Sequence, residues 1–180
     1  QQETLFPYTT LFRSADVESW WAAPAGEKGL AFEVSRDPFL PTRILADPTR
    51  LQQVLNNYLG NAVKFTDAGR IALDVGLHES APGGPAIRFR VADTGPGIAA
   101  DEVERLYKPF MQAERAGAPA QTGWGLGLSI CANIADAMGA RVGVDTTPGQ
   151  GSVFWFDLPL RLPATEEAAA ADAPASPSQP

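Results

Sequence analysis

Asn57, Asn61 and Lys64 fall at positions i, i+4 and i+7 of the stretch Asp47–Phe65, DPTRLQQVLNNYLGNAVKF. On a helix, at about 100° per residue, the three share an arc of roughly 60°, off the centre of the apolar stripe Leu51, Leu55, Tyr58, Leu59 and Ala62. Two amides and a cation on a strip that Gly60 leaves uncrowded suit a metal-bound polyphosphate. A solvated helix face explains the same strip as well. A second candidate is Asp93-Thr94-Gly95-Pro96-Gly97-Ile98, a carboxylate at a strand end followed by two glycines. Such glycines permit positive φ and let a flat ring approach the backbone. A carboxylate accepting from an exocyclic amine would favour adenine over guanine, with about 1.5–3 kcal/mol in the charge-assisted bond. A plain Asx turn accounts for these residues too.

The third candidate is Gly123-Trp124-Gly125-Leu126-Gly127-Leu128, three alternating glycines opening a helix. Free N–H groups and the positive dipole end make such a start an anion site. No Gly-Lys-Ser/Thr follows, so it is not a P-loop, and no strand leads straight into it as a dinucleotide fingerprint requires. Close helix–sheet packing is the competing use of these glycines. His78, the single histidine, lies on the outward phase of a strand and reads as a surface residue. Cys131 falls on the buried phase of a helix and reads as core. With no His/Cys cluster, a divalent ion would be Mg²⁺, held through oxygens and substrate phosphates.

These residues need elements to position them. Asp47-Pro48 is a helix start, with an N-cap acceptor and then a ring pre-set for the first turn. A short helix is expected within Asp16–Gly29, and short strands at Leu30–Val34 and Arg43–Ala46 on either side of the Pro38/Pro41 turn. Ile71, Leu73, Val75 and Leu77 alternate with Ala72, Asp74, Gly76 and His78, which predicts a half-buried strand. Ser80–Pro85 is a hairpin loop, and Ile87, Phe89 and Val91 mark the returning strand. Asp101–Tyr107 reads as a helix, Lys108–Thr122 as a mobile loop, and Gly127–Met138 as a helix stopped by Gly139. Arg141–Asp145 and Ser152–Leu158 are the last strands, joined by the turn Pro148–Gly151. The class is α+β, with helices packed on one face of a mixed sheet.

The 180 residues are 44% hydrophobic, enough for one domain with a core. No apolar run approaches the roughly 18 residues of a membrane span. The net charge is −7, and between residues 15 and 161 there are 13 Lys+Arg against 17 Asp+Glu. The basic residues are scattered, which argues against nucleic acid as a partner. One cysteine fits a reducing cytoplasm. Residues 4–14, TLFPYTTLFRS, resemble a reading-frame translation of a sequencing-adapter oligonucleotide, so residues 1–14 are expected to be foreign; an ordinary N-terminal strand is the alternative. Residues 162–180, rich in Ala, Pro, Ser and Glu, are expected to be a disordered linker or tail.

Taken in order, these motifs resemble those of the catalytic ATP-binding domain of sensor histidine kinases, over about residues 15–160. LADPTRLQQVLNNYLGNAVKFT resembles the N box, VADTGPGI the first glycine box, LYKPF the Phe-box and GWGLGLSI the second glycine box. MGARVGVDTTPGQGSVFWFDLPL resembles the family's ending. The resemblance implies the GHKL two-layer α/β sandwich, a mixed five-stranded sheet with three helices on one face. It implies that Asn61 ligates Mg²⁺ with Asn57 lining the same site, and that Lys64 reaches the phosphates. Asp93 would read adenine in a turn shaped by Gly95, Gly97 and Ile98. Phe110 would close the Phe-box beside an ATP lid, and Gly123, Gly125, Leu126, Gly127 and Leu128 would face the nucleotide.

Two departures are Tyr107, in place of the first Phe-box phenylalanine, and Trp124 between the glycines. The family's phospho-accepting histidine, on a separate helical dimerisation domain, has no match in this chain. The resemblance therefore implies an ATP-binding half that donates the γ-phosphate to a histidine domain upstream, with a response-regulator receiver domain as onward partner, downstream in cis if the parent is a hybrid kinase. The domain itself is expected to be cytoplasmic and without membrane contact, even if the parent kinase is membrane-anchored. Two other functions share the superfamily. One is an ATP hydrolase or clamp like type II topoisomerases, which carries a water-activating Glu where Asn57 stands. The other is a nucleotide-dependent interaction module without kinase activity.

Overall fold

A computed structural model of the chain describes residues 8–10, 14–103, 105–107 and 127–162. The lid segment 108–122, Phe110, Gly123, Trp124, Gly125, Leu126 and the tail from 163 onward lie outside the described residues. The elements run β1 (Tyr8–Thr10), α1 (Ser14–Glu27), β2 (Ala31–Arg36), β3 (Arg43–Leu45), α2 (Pro48–Phe65), β4 (Arg70–His78) and β5 (Ala86–Asp93). They continue with α3 (Ala100–Val103), α4 (Gly127–Met138), β6 (Arg141–Thr147) and β7 (Gly151–Pro159).

Five strands form one sheet in the order β2-β4-β5-β7-β6. Only the β2–β4 pair is parallel; the other three pairs are antiparallel, so the sheet is mixed as the sequence pattern required. Alternation along the strands sends Ile71, Leu73, Val75, Ile87, Phe89, Val91, Phe154, Phe156 and Leu158 to one face, all buried. Helix α2 covers that face with Leu51, Val54, Leu55, Tyr58, Leu59 and Ala62, and α4 adds Cys131, Ile134 and Ala135. Aromatic pairs tie the layers together, with Tyr58 and Phe154 centroids 5.4 Å apart and Phe89 and Phe156 6.4 Å apart. α1 packs beside β2 and α2, burying Val17 and Ala25. The α+β sandwich with three helices on one side of the sheet is therefore present.

Several local expectations change. Arg43–Leu45 does not join the main sheet; it pairs antiparallel with Tyr8–Thr10 in a separate ribbon. The segment set aside as foreign thus supplies a strand, and α1 begins at Ser14. Asp101–Tyr107 is helical only to Val103, one turn, followed by a turn at Arg105–Tyr107. Leu77, on the inward phase of β4, is 40% exposed, and the β2 pairing ends two residues earlier at Arg36–Val75, which leaves that side of Leu77 without a partner strand. His78 is no solvated surface residue. Its Nδ1 lies 3.1 Å from the Asp157 carboxylate, which Arg88 also grips through two bonds of 2.6 and 2.7 Å. Burial pushes the Asp157 carboxyl up, but the bonds from Arg88 and His78 outweigh it and hold the group below its ordinary range. Cys131 is fully buried, as read, and burial pushes its thiol up to about 12.

Candidate functional site

The long helix is built as its first residues dictate. Asp47 Oδ1 accepts from Thr49 N at 2.9 Å and Arg50 N at 3.1 Å, and Pro48 occupies the first turn. With its apolar stripe fixed on the sheet, the polar strip is forced to the rim. There the Asn61 amide donates to Asn57 Oδ1 at 3.3 Å, and both residues are half-buried. Lys64 follows one turn later, its Nζ 5.0 Å from the centroid of the Phe65 ring.

α4 starts at Gly127, beside this strip. A Cβ on Gly127 would sit 2.0 Å from Asn57 Nδ2, so only glycine lets the helix start abut the amide. Leu128, next in line, is half-buried against the core. α4 ends as expected: Gly139 has φ +64° and Ala140 N donates to Ala135 O at 2.8 Å.

The carboxylate turn lies against the C-terminal end of α2. Asp93 closes β5, and its Oδ1 accepts from Gly95 N at 2.8 Å. Burial raises the Asp93 carboxyl above its ordinary value, and the backbone N–H groups of Gly95 and Ser152 pull it back only in part. A Cβ on Gly95 would lie 2.8 Å from Asp93 Oδ1, 3.2 Å from Phe65 O and 3.3 Å from Thr66 Oγ1. The buried Thr66 hydroxyl has no hydrogen-bond partner among the described residues. Gly97 adopts φ +68°, and a Cβ there would strike Thr147 O at 2.1 Å. The turn is clamped to the β6–β7 hairpin: Ile98 N donates to Thr146 Oγ1 at 2.9 Å and Gly149 N to Pro96 O at 2.6 Å. Thr146 in turn reaches Gly151 O at 3.0 Å and Ser152 Oγ at 2.9 Å.

The described residues therefore bring Asn57, Asn61 and Gly127 together, with Leu128 next to Gly127, and bring Asp93, Gly95, Gly97 and Ile98 together at the C-terminal end of α2, where Lys64 stands in the last turn. Thr66, Thr146 and Ser152 were missed by sequence reasoning. Only the hairpin turn Pro148–Gly151 pointed toward two of them, and nothing in the sequence ties a hydroxyl at 146 to an amide at 98.

The profile of the Histidine kinase-, DNA gyrase B-, and HSP90-like ATPase family matches residues 46–162, which contain every described residue of this site. The chain belongs to that family. Among its relatives, Sensor histidine kinase GacS of Pseudomonas protegens is 38% identical over 146 residues, which are 81% of this chain and 16% of GacS. Sensor histidine kinase RcsC of Escherichia coli K12 is 44% identical over 124 residues, 69% of this chain and 12% of RcsC. The chain thus spans under a fifth of the length of these relatives. Full-length ShkA, solved in complex with AMPPNP, superimposes with a TM-score of 0.70 at 42% identity, covering 83% of this chain and 30% of ShkA. The nucleotide-free catalytic domain of the histidine kinase ThkA gives 0.68 at 27% identity, covering 86% and 95%. The sandwich is that of histidine kinase catalytic domains.

The donor set also bears on the metal that this family implies. No group of three or more His, Cys, Asp or Glu side chains gathers among the described residues. Asn57 and Asn61 offer neutral amide oxygens, hard ligands that fit Mg²⁺ when substrate phosphates and water complete the shell.

Proposed function

We propose that this chain is the ATP-binding domain of a protein-histidine kinase, presenting the γ-phosphate to a histidine on a separate dimerisation domain. The observation that carries this reading is the contact of Gly127 with Asn57, which joins the polar strip to a helix N-terminus. Phosphates lying in that notch meet N–H groups, the positive helix end and the Lys64 ammonium. Asn61, with Asn57, would hold Mg²⁺, which when bound neutralises phosphate charge. Asp93 accepts from the adenine amine, and Gly95 and Gly97 keep the backbone flat beneath the ring. Positioning and charge neutralisation carry the transfer.

Asn57 decides between transfer and hydrolysis. An amide cannot take a proton from water, so the chain lacks the base that a hydrolase would place there. His78 is no substitute acceptor, since it is paired to Asp157 on the far side of the sheet from α2. The acceptor hairpin and a receiver domain are the partners this reading requires.

The test uses radiolabelled ATP with Mg²⁺. The chain should bind it saturably, hydrolyse it slowly, acquire no phosphohistidine, and label a separately supplied acceptor hairpin. Rapid hydrolysis without transfer would overturn the reading.

A further inference from the structure

We propose that Lys28 is a positioning residue for the nucleotide site, an inference that rests on the ATP reading above. Lys28 stands in the turn between α1 and β2, far in sequence from every motif of the site. Its Nζ donates to Val63 O at 2.8 Å, Thr66 O at 2.9 Å and Lys64 O at 3.3 Å. An ammonium has three donors, and here all three meet a carbonyl. The last carbonyls of a helix lack intrahelical partners. At the end of α2, Thr66 N takes Ala62 O at 3.0 Å, and Lys28 takes the next two. The cation also faces the negative end of the helix dipole. The nearby Asp67 carboxylate, 3.9 Å away and 83% exposed, contributes little.

The residues held this way belong to both halves of the site. Lys64 carries the ammonium assigned to the phosphates. Phe65 O and Thr66 Oγ1 border the space over Gly95, next to Asp93 Oδ1. One side chain thus fixes the last turn of α2 at the point where phosphate and base recognition meet. The same neighbourhood braces α2 a second time: the Trp21 ring lies 3.6 Å from where a Gly60 Cβ would be, and its Nε1 donates to Asn56 Oδ1 at 3.4 Å. Losing the Lys28 ammonium frees three carbonyls and lets the turn drift, so that base and phosphate contacts no longer form in register.

Calorimetric titration with Mg·ATP tests this in four proteins: the full chain, Lys28→Met, Lys28→Arg and His78→Ala. Lys28→Met keeps the aliphatic stem and should bind about tenfold more weakly, the scale of a lost charged hydrogen-bond set. Lys28→Arg keeps the charge and the donors and should return affinity to within about threefold. His78→Ala disturbs only the distant Asp157 cluster; it should melt lower yet bind as the full chain does, at a temperature where all four are folded. Should Lys28→Met not fold, Lys28→Gln, which keeps two donors without charge, replaces it with an expected loss of more than about fivefold. Unchanged affinity in Lys28→Met or its replacement would overturn the role, as would Lys28→Arg binding no better than the uncharged variant. Equal loss in His78→Ala would reduce Lys28 to a general stabiliser and overturn it too. A full chain that binds no ATP overturns the ATP reading itself, and this inference with it.

Discussion

Replacing Gly127 by alanine separates the site from the fold. The new methyl would stand 2.0 Å from Asn57 Nδ2 and 2.8 Å from its Cγ, so the Asn57 side chain must swing away. Doing so breaks the 3.3 Å bond from Asn61. A displaced rotamer costs about 0.5–1.5 kcal/mol and a lost hydrogen bond about 0.5–1.5 kcal/mol. In the free protein Asn57 can relax toward the rim, and alanine is a better helix former than glycine by up to about 1 kcal/mol. Stability should therefore fall by about 0–2 kcal/mol, since the gain offsets only part of the cost. With nucleotide bound there is no room to relax, and about 1–3 kcal/mol is lost, an affinity drop of roughly fivefold to a hundredfold. Urea denaturation and titration with a fluorescent ATP analogue measure the two quantities. A folded Gly127→Ala chain that binds nucleotide like the parent would refute the assignment of the Asn57–Gly127 notch to the phosphates.

Asp157→Ala should cost about 2–4 kcal/mol in urea denaturation, because it leaves Arg88 and His78 facing a gap; Arg88 is part-exposed, which favours the lower end. The folded Asp157 carboxyl lies below its ordinary value, so its contribution is complete above about pH 4 and is lost as pH falls through the lower folded value. The acid limb of the stability curve should accordingly flatten in Asp157→Ala. Cys131, buried and with its thiol raised to about 12, should resist maleimide in the native chain and react once urea unfolds it; fast native labelling would contradict the packing of α4.

The elements that carry strong periodicity were legible in the sequence. Asp47-Pro48 and the Leu51–Ala62 stripe define α2 almost to the residue, because an N-cap carboxylate and a one-sided apolar face leave no competing structure. Gly127–Met138 was equally plain. Leu77 and Asp101–Tyr107 were misread because local pattern reports neither where a partner strand stops nor where a helix gives way to a turn. The partnership of His78 with Asp157 was invisible for a related reason: the two are 79 residues apart and meet only through the β4–β5–β7 register. In the site, the type and spacing of Asn57, Asn61, Asp93 and the glycines pointed to chemistry. The hydroxyls of Thr66 and Thr146 and the ammonium of Lys28 did not, because threonine and lysine are common and their roles exist only after folding.

Calorimetric titration of the chain with ATP and then GTP, each with Mg²⁺ and repeated on Asp93→Asn, addresses the nucleotide site most directly. Protonating the Asp93 carboxyl, which burial raises above its ordinary value, removes the charge from its bond to the adenine amine, so ATP affinity should weaken as pH falls through that raised value. The expected result at neutral pH is micromolar ATP binding, GTP weaker by about tenfold or more, and that preference lost in Asp93→Asn. Equal affinity for the two nucleotides, or a preference untouched by Asp93→Asn, would contradict a site that reads adenine through this turn.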